Sequence, residues 1–359
     1  MLTSKDMDAF GAPASSIPSN SQAGPSMPLP MKNPSAGSAN PAASFPALWN
    51  YIEPALDHIV RSPTNDNLKA PAIDVAYHMG IHTAVYNYFT SSRFEMDTLS
   101  AGASGSSSGE ATPPSTPHGA DLYEKLDKYY SDICHELLAN TPVDDSTLIY
   151  YLVPCFNRYS AGANSVNRLL NYVNRQYVKR AVEEDRGWLR FSDILKVMAQ
   201  TVKENDPREG ISKKLKERRM VELKKWGLKD GGGSEEISQA EAAAEAASSL
   251  DRVIPLQSMA HRRFREEVIK PLLALPRGKG KKKPKKSPGT TSTDVTENNG
   301  PKSRLARAVK VLTESTELES ESERKALAQD LNNLLGMVGI PNDHALRKRL
   351  EKYCLESQA

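Results

Sequence analysis

Cysteine is scarce in this 359-residue chain: Cys134, Cys155 and Cys354 lie far apart, odd in number, with no C-x-x-C pair. A disulfide framework and a cysteine zinc site are therefore not expected, and the thiols suit a reducing cytoplasm or nucleus. Long apolar runs are also missing. None approaches the ~18 residues of a membrane span, and the N-terminus has no hydrophobic signal core, so a soluble intracellular protein with no membrane partner is expected. Strand signals are nearly absent, with no sustained period-two runs between hairpin turns. Lys plus Arg number 47 against 44 Asp plus Glu, a net +3 that gives no global polyanion-binding signature. No P-loop, no G-x-G-x-x-G after a strand and no G-x-S-x-G elbow occurs, and Cys155 with scattered histidines makes no nucleophile signature. No enzymatic chemistry and no cofactor are expected.

What is present is helical patterning broken by polar tracts. Residues 1–44 are rich in Pro, Ser and Ala and carry too little apolar content to offset ordering entropy, so a disordered tail is expected there. Helical spacing begins in "FPALWNYIEPALDHIV" with Leu48, Ile52, Leu56 and Ile59, where Pro54 marks a kink or a late helix start. A second helix follows in "IDVAYHMGIHTAVYNYF", with Asp74 as its N-cap. Residues 100–119 read as a flexible insertion, and "ADLYEKLDKYYSDICHELLAN" as a third helix carrying Leu122, Leu126, Tyr129, Ile133 and Leu137. Two more helices are expected across "TLIYYLVPCFNRYSAGANSVNRLLNYVNRQYVKR", the second holding Leu169, Leu170, Val173 and Tyr177. Another lies in "VIPLQSMAHRRFREEVIKPLLAL", with Ile254, Met259, Phe264, Val268 and Leu272 as its core positions. The fold class is all-α.

Two features carry candidate chemistry. His78 and His82, four residues apart, lie on one helical face and could hold a metal or meet a partner. Met79 follows the first histidine where a zinc hydrolase needs its glutamate, and no third ligand lies nearby, so metal chemistry is not favoured. The run from Arg277 to Lys286 holds seven basic residues and no acid, with Lys281, Lys282, Lys283, Lys285 and Lys286 at its centre. It reads as a solvated linker, a nuclear-import signal or a polyanion contact. With no interleaved aromatics, specific nucleic-acid recognition is not expected.

"MGIHTAVYNYFTSSR" resembles the second-helix signature of cullins, "ALWNYIEPALDHIV" the first helix, and "YYLVPCFNRYSAGANSVNRLLNYVNRQYVKR" the fifth-helix region with its Y-L-N-R element. "VIPLQSMAHRRFREEVIKPLL" is similar to the helix after that element. The resemblance implies cullin-repeat helical bundles forming an elongated stalk: a first repeat over 45–275 with insertions at 100–119 and about 187–250, a basic linker over 276–303, and the start of a second repeat from 304 to 359. It also implies a non-catalytic scaffold of a cullin-RING ubiquitin ligase of the SCF class, binding a Skp-type adaptor and, through it, an F-box substrate receptor. The adaptor-binding residues implied are Val75, His78, Met79, His82 and Tyr86 on the second helix, with Tyr151, Phe156 and Tyr159 on the fifth. Both histidines fall where the family commonly has tyrosine. Val85 and Tyr88 are expected in the core, and Asn174 and Arg175 are expected to orient helices. The C-terminal cullin homology domain, which recruits the RING subunit and carries the lysine modified by the ubiquitin-like protein NEDD, is not matched. Those functions do not carry over, and RING binding by this chain alone is not expected. A competitor, a split scaffold and a truncated gene product all remain open. The reading from another class is a helical protein using the run at 277–286 to bind nucleic acid or a partner, with no ligase role.

Overall fold

The computed structural model describes residues 31–33, 40–101, 119–190, 192, 194, 208–275, 303–314 and 320–355, with the side chains of 91–101, 208–212 and 215 left aside. Most of the N-terminal tail, the insertion at 102–118 and the basic run with Lys281, Lys282, Lys283, Lys285 and Lys286 lie outside the described residues. Among those described the fold is all-α, with one isolated bridge pairing Met31 and Ile73 and no strand.

Helix α1 (Phe45–Arg61) starts where Ser44 accepts a hydrogen bond from the Ala47 N–H, with Pro46 in its first turn. Leu48, Ile52, Leu56 and Ile59 are all buried, as their spacing predicts. Pro54 lies inside a helix that already runs from Phe45, so it does not mark a late start. Helix α2 (Val75–Ala101) follows a short loop. Asp74 immediately precedes it, and its carbonyl accepts from the His78 N–H at 2.9 Å. Helix α3 (Ala120–Ala139) and helix α4 (Asp145–Leu169) come next, the latter capped by Asp144, which accepts from the Ser146 N–H.

The break after α4 falls at Leu170, which leaves helical dihedrals at φ −102° and ψ 26°. Leu169 therefore closes α4 instead of opening the next helix. A short α5 (Asn171–Val173) widens into a π turn (Asn174–Val178) and ends in α6 (Lys179–Glu183). Asn174 donates to Asn167 at 2.7 Å and accepts from the Leu256 N–H at 3.1 Å, which ties two distant helices together as expected of it. Arg175 is exposed.

The stretch read as a 187–250 insertion contains two helices, α7 (Arg208–Lys224) and α8 (Ser234–Ala247). Helix α8 is a working part of the bundle. Its Ala240, Ala243, Ala244 and Ala246 are buried, and it packs against both α9 (Leu256–Phe264) and α12 (Glu321–Met337). Small side chains permit this closeness. Gly339, just past α12, sits at φ 80°, and a Cβ there would fall 2.5 Å from the Ala247 nitrogen.

Helix α9 continues through a second π turn (Arg265–Ile269) into α10 (Lys270–Leu273). There the Lys270 N–H reaches back to the Arg265 carbonyl, and the adjacent Pro271 has no N–H with which to restore the tighter pattern. Helix α9 lies against α3, α4 and α8, so it forms the central layer. The last three helices are α11 (Arg304–Glu314), α12 and α13 (Ala345–Leu355). Helix α12 begins with a capping box between Ser320 and Glu323. Helix α11 is pinned to the first turn of α4 by Asp145, which pairs with Arg304 at 3.2 Å and Arg307 at 2.7 Å. Residues from Leu305 to Leu350 share one continuous core with residues 48–272.

Candidate functional site: an uncovered face of helix α2

Over residues 75–90, helix α2 is held by one face. Tyr77, Ile81, Ala84, Val85 and Phe89 point into the core. The Tyr77 ring stacks edge-on with Tyr51 at 5.4 Å, and its hydroxyl donates to the Tyr51 carbonyl at 2.6 Å. Burial pushes that hydroxyl's pKa up to about 12, so it remains a donor at any physiological pH. Gly80 has no side chain because the Tyr51 hydroxyl occupies the place a Cβ would take. The start of the helix is fixed from upstream. The Asp74 N–H donates to the Met31 carbonyl at 2.8 Å, and Tyr51 donates to Asn33 at 3.2 Å.

With one face committed, the opposite face is left bare. Val75 is 76% exposed, Met79 57% and Tyr86 47%, and His78 and His82 are exposed between them. The five residues expected at the docking stripe therefore share a surface on the isolated chain. Large apolar side chains exposed in a row at helical spacing form a patch of the kind that marks interaction sites. Val85 is core and Tyr88 half-buried, its hydroxyl donating to Asp121.

One contributor was missed from the sequence. Tyr172, from α5, places its ring 5.4 Å from Tyr86, 5.5 Å from Phe89 and 6.5 Å from His82, all near edge-on. It extends the aromatic surface from α2 across to the next element, at edge-to-face distances that stabilise ring pairs. It lies two residues before Asn174 in "NYVNRQYV", and no local signal there marked it as part of a surface.

The fifth-helix residues do not join this surface. Phe156 is 1% exposed and packs on Phe264 at 5.0 Å and His261 at 5.5 Å. Tyr159 is 2% exposed; its hydroxyl donates to the Ala260 carbonyl at 2.9 Å and accepts from the Cys134 thiol. Both expectations are corrected: α9 covers this face of α4, so neither ring can reach a partner. Tyr151 is half-buried and donates to the Leu137 carbonyl at the end of α3. Tyr150 beside it is 40% exposed.

For the metal reading, His78 and His82 would need further ligands. Among the described residues, no group of three or more His, Cys, Asp or Glu could hold a metal ion. Among them, too, no helix is long and apolar enough to cross a membrane.

Residues 49–223 match the family model described as the cullin alpha solenoid domain. The chain is 25% identical over 162 residues to Cell division control protein 53 of Saccharomyces cerevisiae. That match takes in 44% of this chain and 18% of the relative, so the chain spans well under two thirds of it. No solved structure matches.

Proposed function

We propose that the chain is a non-catalytic scaffold of the SCF class of ubiquitin ligases, and that the bare face of α2 receives a Skp-type adaptor; the match of residues 49–223 to the cullin alpha solenoid model supports this reading. The observation that carries this reading is the row Val75, His78, Met79, His82 and Tyr86, exposed along a helix whose other face is locked into the core. Tyr172 widens it to a patch spanning two elements. Such a patch supplies apolar and aromatic anchors with a polar rim, the composition of an energetic centre in a protein–protein interface.

The mechanism is positional. An adaptor seated here carries an F-box receptor, and the receptor's substrate is held at high effective concentration near a ligase module. Histidine in place of tyrosine at 78 and 82 keeps a flat ring but buries less area, so this face suits an adaptor with a smaller or more polar complement. No chemistry of its own is assigned to the chain. Helices α11 to α13 would open a second repeat stacked on the first.

The test is a binding titration of purified chain against a Skp-type adaptor. Micromolar binding that is lost in Met79→Glu, with the thermal melt unchanged, supports the reading. Absence of binding by the unaltered chain, or indifference to Met79→Glu, removes it.

A further inference from the structure

Helix α7 has a second uncovered face, separate from the α2 surface. A small core of its own holds α7 to α8: Leu223, Leu228, Ala240 and Ala244, with Trp188, Trp226 and Ile237 packed on it. An ion pair from Arg219 to Glu241 closes the same side. On the outer side, Met220 is 37% and Val221 45% exposed. These two line an open cleft of about 430 Å³ between α7 and the loop at 228–231. Lys213, Lys216, Met220, Val221 and Lys224 recur at intervals of three, four, one and three, so they run along one face of the helix for roughly 16 Å at 1.5 Å per residue. Lys229 adds a further charge from the loop, and Leu228 of the small core also lines the cleft.

The charge in this cleft is net positive. Its lining holds Lys213, Lys216, Lys224 and Lys229 against Glu217 and Asp230. Asp230 is already paired with Lys224 at 2.5 Å. Lys213, Lys216 and Lys229 form no ion pair among the described residues. An apolar pair between cationic ends fits a short amphipathic helix whose apolar face lies over Met220 and Val221 and whose carboxylates reach the three lysines.

We propose that this cleft is a docking site for an acidic amphipathic helix of a partner protein. Charge complementarity selects the occupant, because a neutral or basic helix would leave the lysines unpaired or repelled. A cationic helix with an exposed apolar pair is also the pattern of a membrane-surface contact. The apolar part here is two side chains set into a cleft, not a continuous stripe, which favours a peptide over a lipid surface.

The experiment uses the full chain and a fluorescein-labelled helical peptide of four turns, Leu on one face and Glu on the other. Its twin carries Lys at every Glu position, and vesicles of anionic phospholipid form a third arm. The expected result is saturable binding of the acidic peptide, at least roughly tenfold tighter than the twin. A similar loss is expected in Lys213→Glu/Lys216→Glu and in Met220→Ser/Val221→Ser, with the melting curve unchanged. If either double variant melts early, Lys229→Glu on the loop gives the same readout and is expected to weaken binding. Equal binding of peptide and twin, no saturable binding, or insensitivity to Lys229→Glu overturns the proposal. Capture by vesicles with no peptide binding also overturns it, in favour of a membrane contact.

Discussion

Helices α2 and α4 carry similar aromatic-rich faces, and the bundle treats them oppositely. On α2, Val75, Met79 and Tyr86 are left bare while Tyr77, Ile81 and Val85 anchor the helix. On α4, Phe156 and Tyr159 are the anchors, because α9 lies across them with Phe264, Ala260 and His261. Periodicity tells which residues share a face of a helix. It does not tell which face a later segment will cover, and here the covering residues come about one hundred positions downstream.

That contrast predicts opposite mutational signatures. The largest stability effect is expected from Phe156→Ala, which should cost about 3–5 kcal/mol by opening a cavity under α9. Its denaturation midpoint should fall accordingly, and adaptor binding should fail only because the bundle does. Tyr159→Phe keeps the ring but removes a donor to the Ala260 carbonyl and the acceptor of the Cys134 thiol, for an expected loss of about 1–3 kcal/mol on the same measurement.

The layer formed by α9 also contains two part-buried polar pairs whose titrations sharpen the comparison. On one side His261 meets the Ser160 hydroxyl at 2.9 Å, and desolvation lowers the imidazole pKa to about 4. On the other, Ser258 donates to Glu245 of α8 at 2.6 Å, and desolvation raises that carboxyl pKa to about 7, with Glu241 adding repulsion and Arg219 opposing it. The signs differ. Glu245 contributes a stability loss as pH climbs from the ordinary glutamate range to about 7, because the folded form holds its proton longer. His261 contributes a loss as pH falls from the ordinary histidine value near 6.5 to about 4, because the unfolded form takes the proton first. Between those limits the two slopes oppose each other. Glu245→Gln is therefore expected to stabilise the chain at pH 8 by about 1–2 kcal/mol, a figure reduced because the side chain keeps some contact with solvent. It should also unmask a rise in stability with pH through the histidine window. Denaturant titrations at several pH values check both effects, and a flat profile in the variant would contradict the His261 assignment.

The smallest stability effect belongs to α2. Met79→Glu should change unfolding free energy by less than about 0.5 kcal/mol, since that side chain points away from the core. Its effect on binding should be the greatest of the set.

Much of the fold was legible in the sequence. Leu48, Ile52, Leu56 and Ile59 in α1, Leu122, Leu126 and Ile133 in α3, and Met259, Phe264, Val268 and Leu272 around α9 are buried at the positions their spacing gave. The α2 half of the candidate site was legible through the cullin resemblance and not through side-chain type, since Val75, Met79 and Tyr86 are as apolar as the Tyr77, Ile81 and Val85 they stand opposite. Three things were hidden. Tyr172 joins the surface only through the turn at Leu170, which no local signal placed. Helix α8 was placed inside an insertion, because alanines at three- and four-residue spacing signal close packing only once a partner such as Gly339 is known. Phe156 and Tyr159 were given a docking role by the resemblance, with the core as the alternative, and their cover is remote in sequence.

The most direct measurement is a calorimetric titration of a Skp-type adaptor into the full chain and into Met79→Glu, with circular-dichroism melts of both. The account predicts micromolar or tighter binding to the unaltered chain, a loss of at least about 100-fold in the variant, and superimposable melts. Equal binding by the two proteins would contradict the placement of the docking face on α2, and no binding by either would contradict the scaffold role itself.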